Sequence, residues 1–167
     1  MLVLFFIGSF ICILLDQITK YFAYKSLRLG GSIEILKSVF RFNYCENRGA
    51  AFGVLQNQIW FFAIITVIII GAVIFFMIKK KPQNKLLVIS LTLLTGGALG
   101  NFIDRVFRGY VIDFLDFYII NFPVFNVADC FVVIGAILLA VYILFFSPDF
   151  PSEKKKKQVD LNTQTDE

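Results

Sequence analysis

Two aspartates in apolar surroundings are the residues of this chain best suited to carry out chemistry. Asp113 lies in the apolar segment 111–115, and Asp129 lies three residues after Asn126 at the start of a long apolar run. Two carboxylates that share a site of low dielectric constant cannot both ionise easily, so the pair holds one proton. The ionised member can deprotonate a water molecule, while the protonated member can polarise a carbonyl group and later protonate a leaving amine. Such a pair can hydrolyse an amide bond without a metal or an organic cofactor.

The two aspartates differ in their local surroundings. A helix N-terminus favours negative charge by up to about 2 kcal/mol in partly buried geometries, so we expect Asp129 to be the ionised member. Asp113, among apolar neighbours, should then hold the proton. The spacing of Asn126 and Asp129 also fits an N-cap with an acid at the third helical position. That structural role does not exclude a catalytic role for Asp129.

Missing residue types narrow the chemistry further. The chain has no histidine, which excludes Ser–His and Cys–His nucleophile pairs and histidine-ligated zinc. The three cysteines, Cys12, Cys45 and Cys130, are scattered and have no spacing typical of a metal site or a disulfide framework. We interpret Cys12 and Cys130 as small buried apolar residues, while Cys45 has no assignment. We therefore expect no metal at the site.

The elements that must position these side chains are membrane helices. Of the 167 residues 58% are hydrophobic, more than is usual in a soluble domain, and the mean hydropathy is +0.78. Four apolar segments, about 2–24, 59–78, 86–106 and 127–146, are close to the roughly 20 residues that a helix needs to cross a bilayer core. The first lacks the basic start and the small-residue cleavage site of a signal peptide and is too long for its apolar region, so we interpret it as a span.

Basic residues determine the predicted orientation. Four lysines crowd the short connection between the second and third spans, and four more (154–157) follow the fourth span. Lys and Arg concentrate on the cytoplasmic side of membrane proteins, and beside apolar segments they indicate membrane flanks rather than nucleic-acid binding. Loop 25–58 also carries five basic residues. The total number of Lys and Arg residues therefore differs little between the two sides, but their density near the ends of the spans is clearly higher on one side. We expect cytoplasmic termini, with loops of about 25–58 and 107–126 outside.

The outer loops are expected to hold some structure. Residues 32–36 and 39–44 alternate apolar with polar side chains, as half-buried strands do, whereas Asp116 is interpreted as an exposed interfacial acid. The tail, 148–167, is charged and poor in apolar residues, a composition typical of disorder. The predicted fold is an all-α membrane protein, one domain over 1–147, with four transmembrane helices and a small extracytoplasmic β-sheet in the first outer loop.

Polar residues that are costly inside a membrane gather at one depth. An ionisable side chain at the centre of a span costs about 2.5–3.5 kcal/mol on insertion scales, so each one present needs a reason. Two groups with i, i+3, i+4 spacing each share one helix face. The groups are Asp16, Thr19 and Lys20 in the first span and Asn101, Asp104 and Arg105 in the third. The predicted topology brings both to the outer interface, beside the two aspartates.

Each group also has a plain structural interpretation. Asp16 and Lys20 could form an i,i+4 ion pair, Asp104 and Arg105 could extend to lipid headgroups, and the GxxxG pattern of residues 96–100 is typical of close helix packing. A rival function is a small transporter or channel with a proton-relaying acid pair. It predicts polar residues along the whole membrane depth, whereas here they cluster at one face and the second span carries no charge.

Five motifs, in this order, resemble the lipoprotein signal peptidases, also called type II signal peptidases. The motifs are Asp16-Gln17-Ile18-Thr19-Lys20, Asn47-Arg48-Gly49-Ala50-Ala51-Phe52-Gly53, GGALGNFIDR at 96–105, Val111-Ile112-Asp113-Phe114 and Phe125-Asn126-Val127-Ala128-Asp129. They span about residues 10–145, and each alone would be a weak signal. Cys130 departs from the family pattern, in which Ser or Ala is more usual. The GxGD signature of presenilin-type and prepilin-type peptidases does not occur.

The resemblance implies a four-helix membrane bundle with an outer sheet that cradles the substrate. It implies an aspartic endopeptidase of the bacterial cytoplasmic (inner) membrane that removes the signal peptide from diacylglyceryl-modified prolipoproteins, cutting before the lipidated cysteine. Asp113 and Asp129 match the catalytic pair. The positions matched to support and substrate contact are Asp16, Asn47, Gly49, Asn101, Asp104, Arg105 and Asn126. The expected partners are lipid-modified prolipoproteins and membrane lipids, with no nucleic acid and no cofactor, for a monomeric enzyme.

Overall fold

Four long helices dominate the protein in the computed structural model, which describes residues 1–49, 58–120 and 122–147. They are α1 (Leu2–Leu27), α2 (Ile59–Lys80), α3 (Lys85–Arg108) and α4 (Val127–Phe145). All four are long and apolar enough to cross a membrane. The shortest has 19 residues, about 28 Å at 1.5 Å per residue, which suits a hydrocarbon core of about 30 Å. The predicted spans are confirmed, and the chain is a multi-pass membrane protein.

Helix α3 begins and ends at residues that suit helix termini. The side chain of Asn84 accepts hydrogen bonds from the backbone N–H groups of Leu86 and Leu87, at 2.9 and 3.2 Å, and so caps the N-terminus after the short connection from α2. The last turn is closed by Gly109 with φ 77°, whose N–H donates to the carbonyl of Arg105. Glycine adopts this left-handed conformation without a Cβ clash, and the chain can turn directly into the strand that follows.

Helix α3 is the central helix, and small residues let its neighbours come close to it. A Cβ added at Gly96 would lie 2.5 Å from the Cβ of Cys12 in α1, and one at Gly100 would lie 2.5 Å from Oδ2 of Asp16. A Cβ at Gly97 would meet the backbone carbonyl of Ala128 in α4. The close packing predicted from the GxxxG pattern is therefore confirmed, and it brings α1 and α4 against the same end of α3.

A three-stranded antiparallel sheet lies at that end of the bundle. Its strands are β1 (Ser32–Leu36), β2 (Phe40–Asn47) and β3 (Val111–Asp116), in the order β1-β2-β3. The first two confirm the strands predicted in the first outer loop. The third, from the loop between α3 and α4, was not predicted, because its side chains are buried on both faces and its sequence lacks the apolar–polar alternation of a half-buried strand.

The sheet is seated on the end of α1 by a small apolar core. Ile112 and Phe114 of β3 pack with Ala23 and Leu27 of α1, and Phe42 of β2 lies against them. Successive side chains of a strand point to opposite faces. Asp113, between Ile112 and Phe114, therefore points to the opposite face of the strand, so that the sheet holds it at a fixed place beside the helix ends.

The prediction that Asp116 is an exposed interfacial acid is wrong. Asp116 is only 5% exposed, and its Oδ2 accepts from Nε of Arg41 at 2.7 Å and from Nδ2 of Asn43 at 3.2 Å. Both partners come from β2, which pairs with β3 in the antiparallel sense and places Arg41 directly opposite Asp116. The charge is therefore buried with a cation of its own, an arrangement that the local sequence around Asp116 could not reveal.

Some sequence expectations lie outside the described residues. They concern the tail 148–167 and the later part of the glycine-rich loop motif, residues 50–53.

Candidate active site

Asp113 lies at the end of the bundle where the sheet meets α3 and α4. Its carboxylate is 2% exposed and accepts two hydrogen bonds from neutral amides. Nδ2 of Asn47 donates to Oδ2 at 2.9 Å, and Nδ2 of Asn126 donates to Oδ1 at 2.6 Å. Asn47 comes from the end of β2 and Asn126 from the residue before α4, so the two elements on either side of Asp113 each contribute one donor.

Asp129 lies in the first turn of α4 and is tied to the same asparagine. Its Oδ2 accepts from the backbone N–H of Asn126 at 3.2 Å, while its own backbone N–H donates to Oδ1 of Asn126 at 3.0 Å. These reciprocal bonds form a capping box, as the N-cap interpretation predicts. The other oxygen, Oδ1, accepts from Nδ2 of Asn101 at 2.7 Å. The cap therefore also joins Asp129 to Asp113, because Asn126 bonds to both.

Each bridging amide is held by its oxygen so that its nitrogen faces a carboxylate. Oδ1 of Asn47 accepts from the backbone N–H of Gly49 at 3.0 Å. Oδ1 of Asn101 accepts from Nζ of Lys20 at 2.8 Å and from Nδ2 of Asn126 at 3.1 Å. These partners can only donate, and this determines which end of each amide is the oxygen. Three neutral amides therefore direct N–H groups at the two carboxylates without adding charge.

The ionisation of Asp113 is unfavourable in this setting. Burial removes the carboxylate from water and the negative charge of Asp129 repels a second one, and together they raise the pKa of Asp113 from 3.8 to about 7. The hydrogen bonds from Asn47 and Asn126 favour the charged form and act in the opposite direction. Burial and repulsion prevail, so Asp113 can carry a proton near neutral pH and can act as a general acid.

Behind Asn101 lies a fully buried ion cluster centred on Lys20. Its Nζ lies 2.8 Å from Oδ2 of Asp16 and 3.0 Å from Oδ2 of Asp104, and all three side chains have no exposed area. Asp104 also pairs with Arg108, one turn further along α3. The i,i+4 ion-pair interpretation of Asp16 and Lys20 is right, whereas the headgroup interpretation of Asp104 is wrong. Its carboxylate points inward because the bundle provides two cations there.

The same cluster fixes the two elements that carry the aspartate pair. Oδ1 of Asp16 accepts from the backbone N–H of Ala128, in the first turn of α4, at 3.0 Å. Oδ2 of Asp104 accepts from the backbone N–H of Ile112, next to Asp113, at 3.2 Å. Each carboxylate thus binds Lys20 and one backbone group beside a candidate catalytic residue. The cluster joins α1 and α3 to α4 and β3.

A cavity of about 560 Å³ opens in front of the two aspartates. Its wall has a polar part and an apolar part, and α4 and β3 contribute residues to both. The polar residues are Asn47, Asn101, Arg105, Asp113 and Asp129, and the apolar residues include Val111, Phe122, Val124, Phe125, Val132, Val133 and Ile134. Cys130 also lines the cavity and is half-buried, so the prediction of a buried residue holds for Cys12 but not for Cys130. The arrangement suits a molecule with one polar end and a long apolar part.

Arg105 is the cation that lines the cavity. Its guanidinium lies over the ring of Phe62 in α2, 5.1 Å from the ring centroid, and one nitrogen donates to the backbone carbonyl of Asn101 at 3.4 Å. The stacking on Phe62 is a cation–π contact, which keeps the side chain at the cavity wall. Arg105 is thereby placed where it can meet a carbonyl or carboxylate group of a bound molecule.

The structure brings every candidate residue of the sequence to this one end of the bundle. Three of them, Asp16, Asp104 and Asn126, lie behind the cavity wall, while the other six line it. Lys20 was noted on the sequence but was not placed among the site residues. Its i,i+4 spacing from Asp16 predicts the ion pair. Its hydrogen bond to Asn101 joins residues 81 positions apart, and a local sequence pattern cannot predict such a contact.

Comparisons with known proteins agree with the fold. A family model described as signal peptidase (SPase) II matches residues 9–145. A bacterial membrane enzyme solved in meso at 2.3 Å resolution is 37% identical, with a TM-score of 0.80, over 89% of this chain and 92% of that chain. Another, solved at 1.9 Å, is 38% identical, with a TM-score of 0.76, over 86% of this chain and 94% of that one. The match spans all four helices and both aspartates, and the chain belongs to the signal peptidase II family of peptidases.

Proposed function

We propose that this peptidase is an aspartic endopeptidase that removes the signal peptide from diacylglyceryl-modified prolipoproteins, cutting just before the lipidated cysteine. The observation that carries the proposal is the position of Asp113 and Asp129. Both line one cavity, both accept N–H groups from the same asparagine, and an apolar wall lies beside them. Membership of the signal peptidase II family supports the same substrate class.

The two carboxylates divide the acid and base roles. Asp129, at a helix N-terminus and bonded by Asn101, is the ionised member, because N–H donors and the helix dipole favour negative charge. It takes a proton from a water molecule, whose oxygen attacks the scissile carbonyl carbon. Asp113 donates its proton to the carbonyl oxygen. When the tetrahedral intermediate collapses, the C–N bond breaks and the proton held by Asp129 passes to the leaving amine. One hydroxyl group of the intermediate returns its proton to Asp113, so that the carbonyl group forms again and both aspartates regain their starting states.

The cavity provides for the rest of the substrate. Val132, Val133 and Ile134 line its apolar wall, and acyl chains placed there leave the lipid phase without crossing water. Arg105 and the amides of Asn47 and Asn101 offer polar groups to the extended peptide backbone. A diacylglyceryl group beside the scissile bond therefore positions that bond at the aspartates, and an unlipidated precursor lacks this part of the binding energy.

The orientation in the membrane follows from the charges at the two ends of the bundle. Lys79, Lys80, Lys81 and Lys85 lie at the end opposite to the site, and such residues favour the cytoplasmic side. Both termini are then cytoplasmic and the site lies at the outer face of the bacterial cytoplasmic membrane. There the enzyme acts as a monomer on prolipoproteins that have already been translocated and lipidated.

A reconstituted cleavage assay tests the proposal. The purified protein in lipid-containing micelles is given a prolipoprotein with and without its diacylglyceryl group, and the products are identified by mass. We expect cleavage of the lipidated form alone, with the lipidated cysteine as the new N-terminus. Efficient cleavage of the unlipidated form, or a cut elsewhere, contradicts the substrate assignment.

A matched pair of acid-to-amide variants accompanies the assay. Asp113→Asn should abolish cleavage, whereas Asp116→Asn, a change to a buried acid in the same strand that faces Arg41 instead of the cavity, should leave it measurable. Because both variants remove one buried carboxylate from β3, a general loss of folding would affect both. Thermal unfolding of the two variants is recorded alongside.

A further inference from the structure

Asn101 differs from the other two bridging amides in what holds its oxygen. The oxygens of Asn47 and Asn126 accept from backbone N–H groups, which belong to the folded chain and cannot turn away. The oxygen of Asn101 accepts from Nζ of Lys20 at 2.8 Å and from the amide of Asn126 at 3.1 Å. The side chain of Lys20 thus holds the oxygen of Asn101, whereas backbone N–H groups hold the oxygens of Asn47 and Asn126.

Lys20 has little freedom to do anything else. Its ammonium group has three N–H donors, and three acceptors surround it: Oδ2 of Asp16, Oδ2 of Asp104 and Oδ1 of Asn101. The side chain has no exposed area. A donor-only group fixed in this way repels the NH₂ end of the Asn101 amide and attracts its oxygen, so the amide nitrogen must face Asp129.

We propose that Lys20 is a positioning residue for the peptidase reaction, which acts by orienting the Asn101 amide so that it donates to the Asp129 carboxylate. The inference rests on the proposed function of the aspartate pair. Lys20 touches neither aspartate of that pair and acts through Asn101. Among the described residues, removing it leaves the amide of Asn126 alone to hold the oxygen, and that amide nitrogen is already shared with Asp113.

A simple structural role is the competing explanation, because Lys20 also neutralises two buried carboxylates. Lys20→Met alone leaves Asp16 and Asp104 with one cation, and the variant can fold poorly. The combination Asp16→Asn with Lys20→Met removes one carboxylate together with the cation, and leaves Asp104 paired with Arg108. The oxygen of the new amide can still accept from the backbone of α4. The combined variant therefore keeps the buried charge balanced.

A double-mutant cycle on kcat separates the two explanations. Lys20→Met and Asn101→Ala are made singly and together, both in the unmodified chain and in the Asp16→Asn background. A hydrogen bond to a charged group corresponds to about tenfold to a hundredfold in rate. We expect Lys20→Met to lower kcat about tenfold with little change in KM, and to lower it no further once Asn101 is alanine. Lys25→Met, an exposed lysine of the same helix, serves as the control and should leave kcat unchanged.

The outcomes distinguish this inference from the wider proposal. If Lys20→Met lowers kcat by the same factor with and without Asn101, the two residues act independently and the positioning role is overturned. A loss that appears only in thermal stability, with kcat preserved, overturns it too. Retained cleavage by Asp113→Asn or Asp129→Asn contradicts the proposed function itself. The coupling measured on kcat between Lys20 and Asn101 depends on neither of those two variants.

Discussion

Replacing Asp113 by asparagine should make the protein inactive and, above neutral pH, more stable. When the pKa of a carboxyl group is higher in the folded than in the unfolded state, the folded protein loses stability as the pH rises between the two values. For Asp113 these values are about 7 and 3.8, a difference that corresponds to about 4 kcal/mol once both states are ionised. Asparagine carries no charge at any pH and avoids this cost.

The comparison at low pH isolates the electrostatic effect. Protonated aspartate and asparagine have nearly the same shape, but the hydroxyl oxygen of the acid can still accept a hydrogen bond and an amide nitrogen cannot. The variant therefore loses one of the two bonds from Asn47 and Asn126 at every pH. Between about pH 4 and about pH 8 the stability of the variant relative to the unmodified protein should rise by up to about 4 kcal/mol. For a chain of this size that corresponds to a rise in Tm on the order of 10 °C.

Thermal unfolding in detergent micelles, followed by circular dichroism across this pH range, measures the effect. Asp116→Asn is the matched control and should change stability in the opposite sense at about pH 8, because it removes a carboxylate that pairs with Arg41 at 2.7 Å. If Asp113→Asn shifts Tm by the same amount at both pH values, Asp113 ionises normally in the folded protein. The reasoning that makes it the general acid would then be refuted.

Three further predictions follow from the geometry. Because protonated Asp113 is required, kcat/KM should fall about tenfold per pH unit above about pH 7; a profile that stays flat well into the alkaline range contradicts this role. Gly100→Ala, whose Cβ would lie 2.5 Å from Oδ2 of Asp16, should destabilise the protein by about 1–3 kcal/mol. Gly71→Ala, where a Cβ would have none of the described atoms within 4 Å, should not destabilise the protein, and equal Tm changes for the two variants would refute the packing argument. Finally, a membrane-impermeant thiol reagent should label the exposed Cys45 in intact cells, in a variant that retains no other cysteine, and labelling only after permeabilisation would reverse the proposed orientation.

The sequence predicted the spans, and the gathering of the polar residues at one end of the bundle, because both depend on local signals, whereas the choice of Asp113 and Asp129 as the catalytic pair came from the family resemblance. Runs of about 20 apolar residues identify membrane helices directly. A polar residue inside such a run is so costly that each one marks a specific contact. The i, i+3, i+4 spacing of Asp16 and Lys20, and of Asn101 and Asp104, then indicated which faces turn inward.

Features that depend on pairing between distant segments could not be predicted in this way. Strand β3 pairs with β2 across a long stretch of the chain, and burial on both faces removes the alternation that reveals a strand. The burial of Asp116 depends on Arg41, 75 positions earlier. Likewise, the bond between Lys20 and Asn101 joins two helices, so its link to the aspartate pair appears only when the helices are packed.

Asp113 and Asp129 are proposed to act together as one catalytic unit. Single-turnover cleavage of a lipidated prolipoprotein by Asp113→Asn, by Asp129→Asn and by the double variant is the measurement that decides whether they do. Groups that act as a unit are strongly non-additive, and removing either costs about as much as removing both. We predict three equally inactive proteins that remain folded. If either single variant retains substantial cleavage, or if the two losses multiply in the double variant, the two carboxylates do not form the proposed pair.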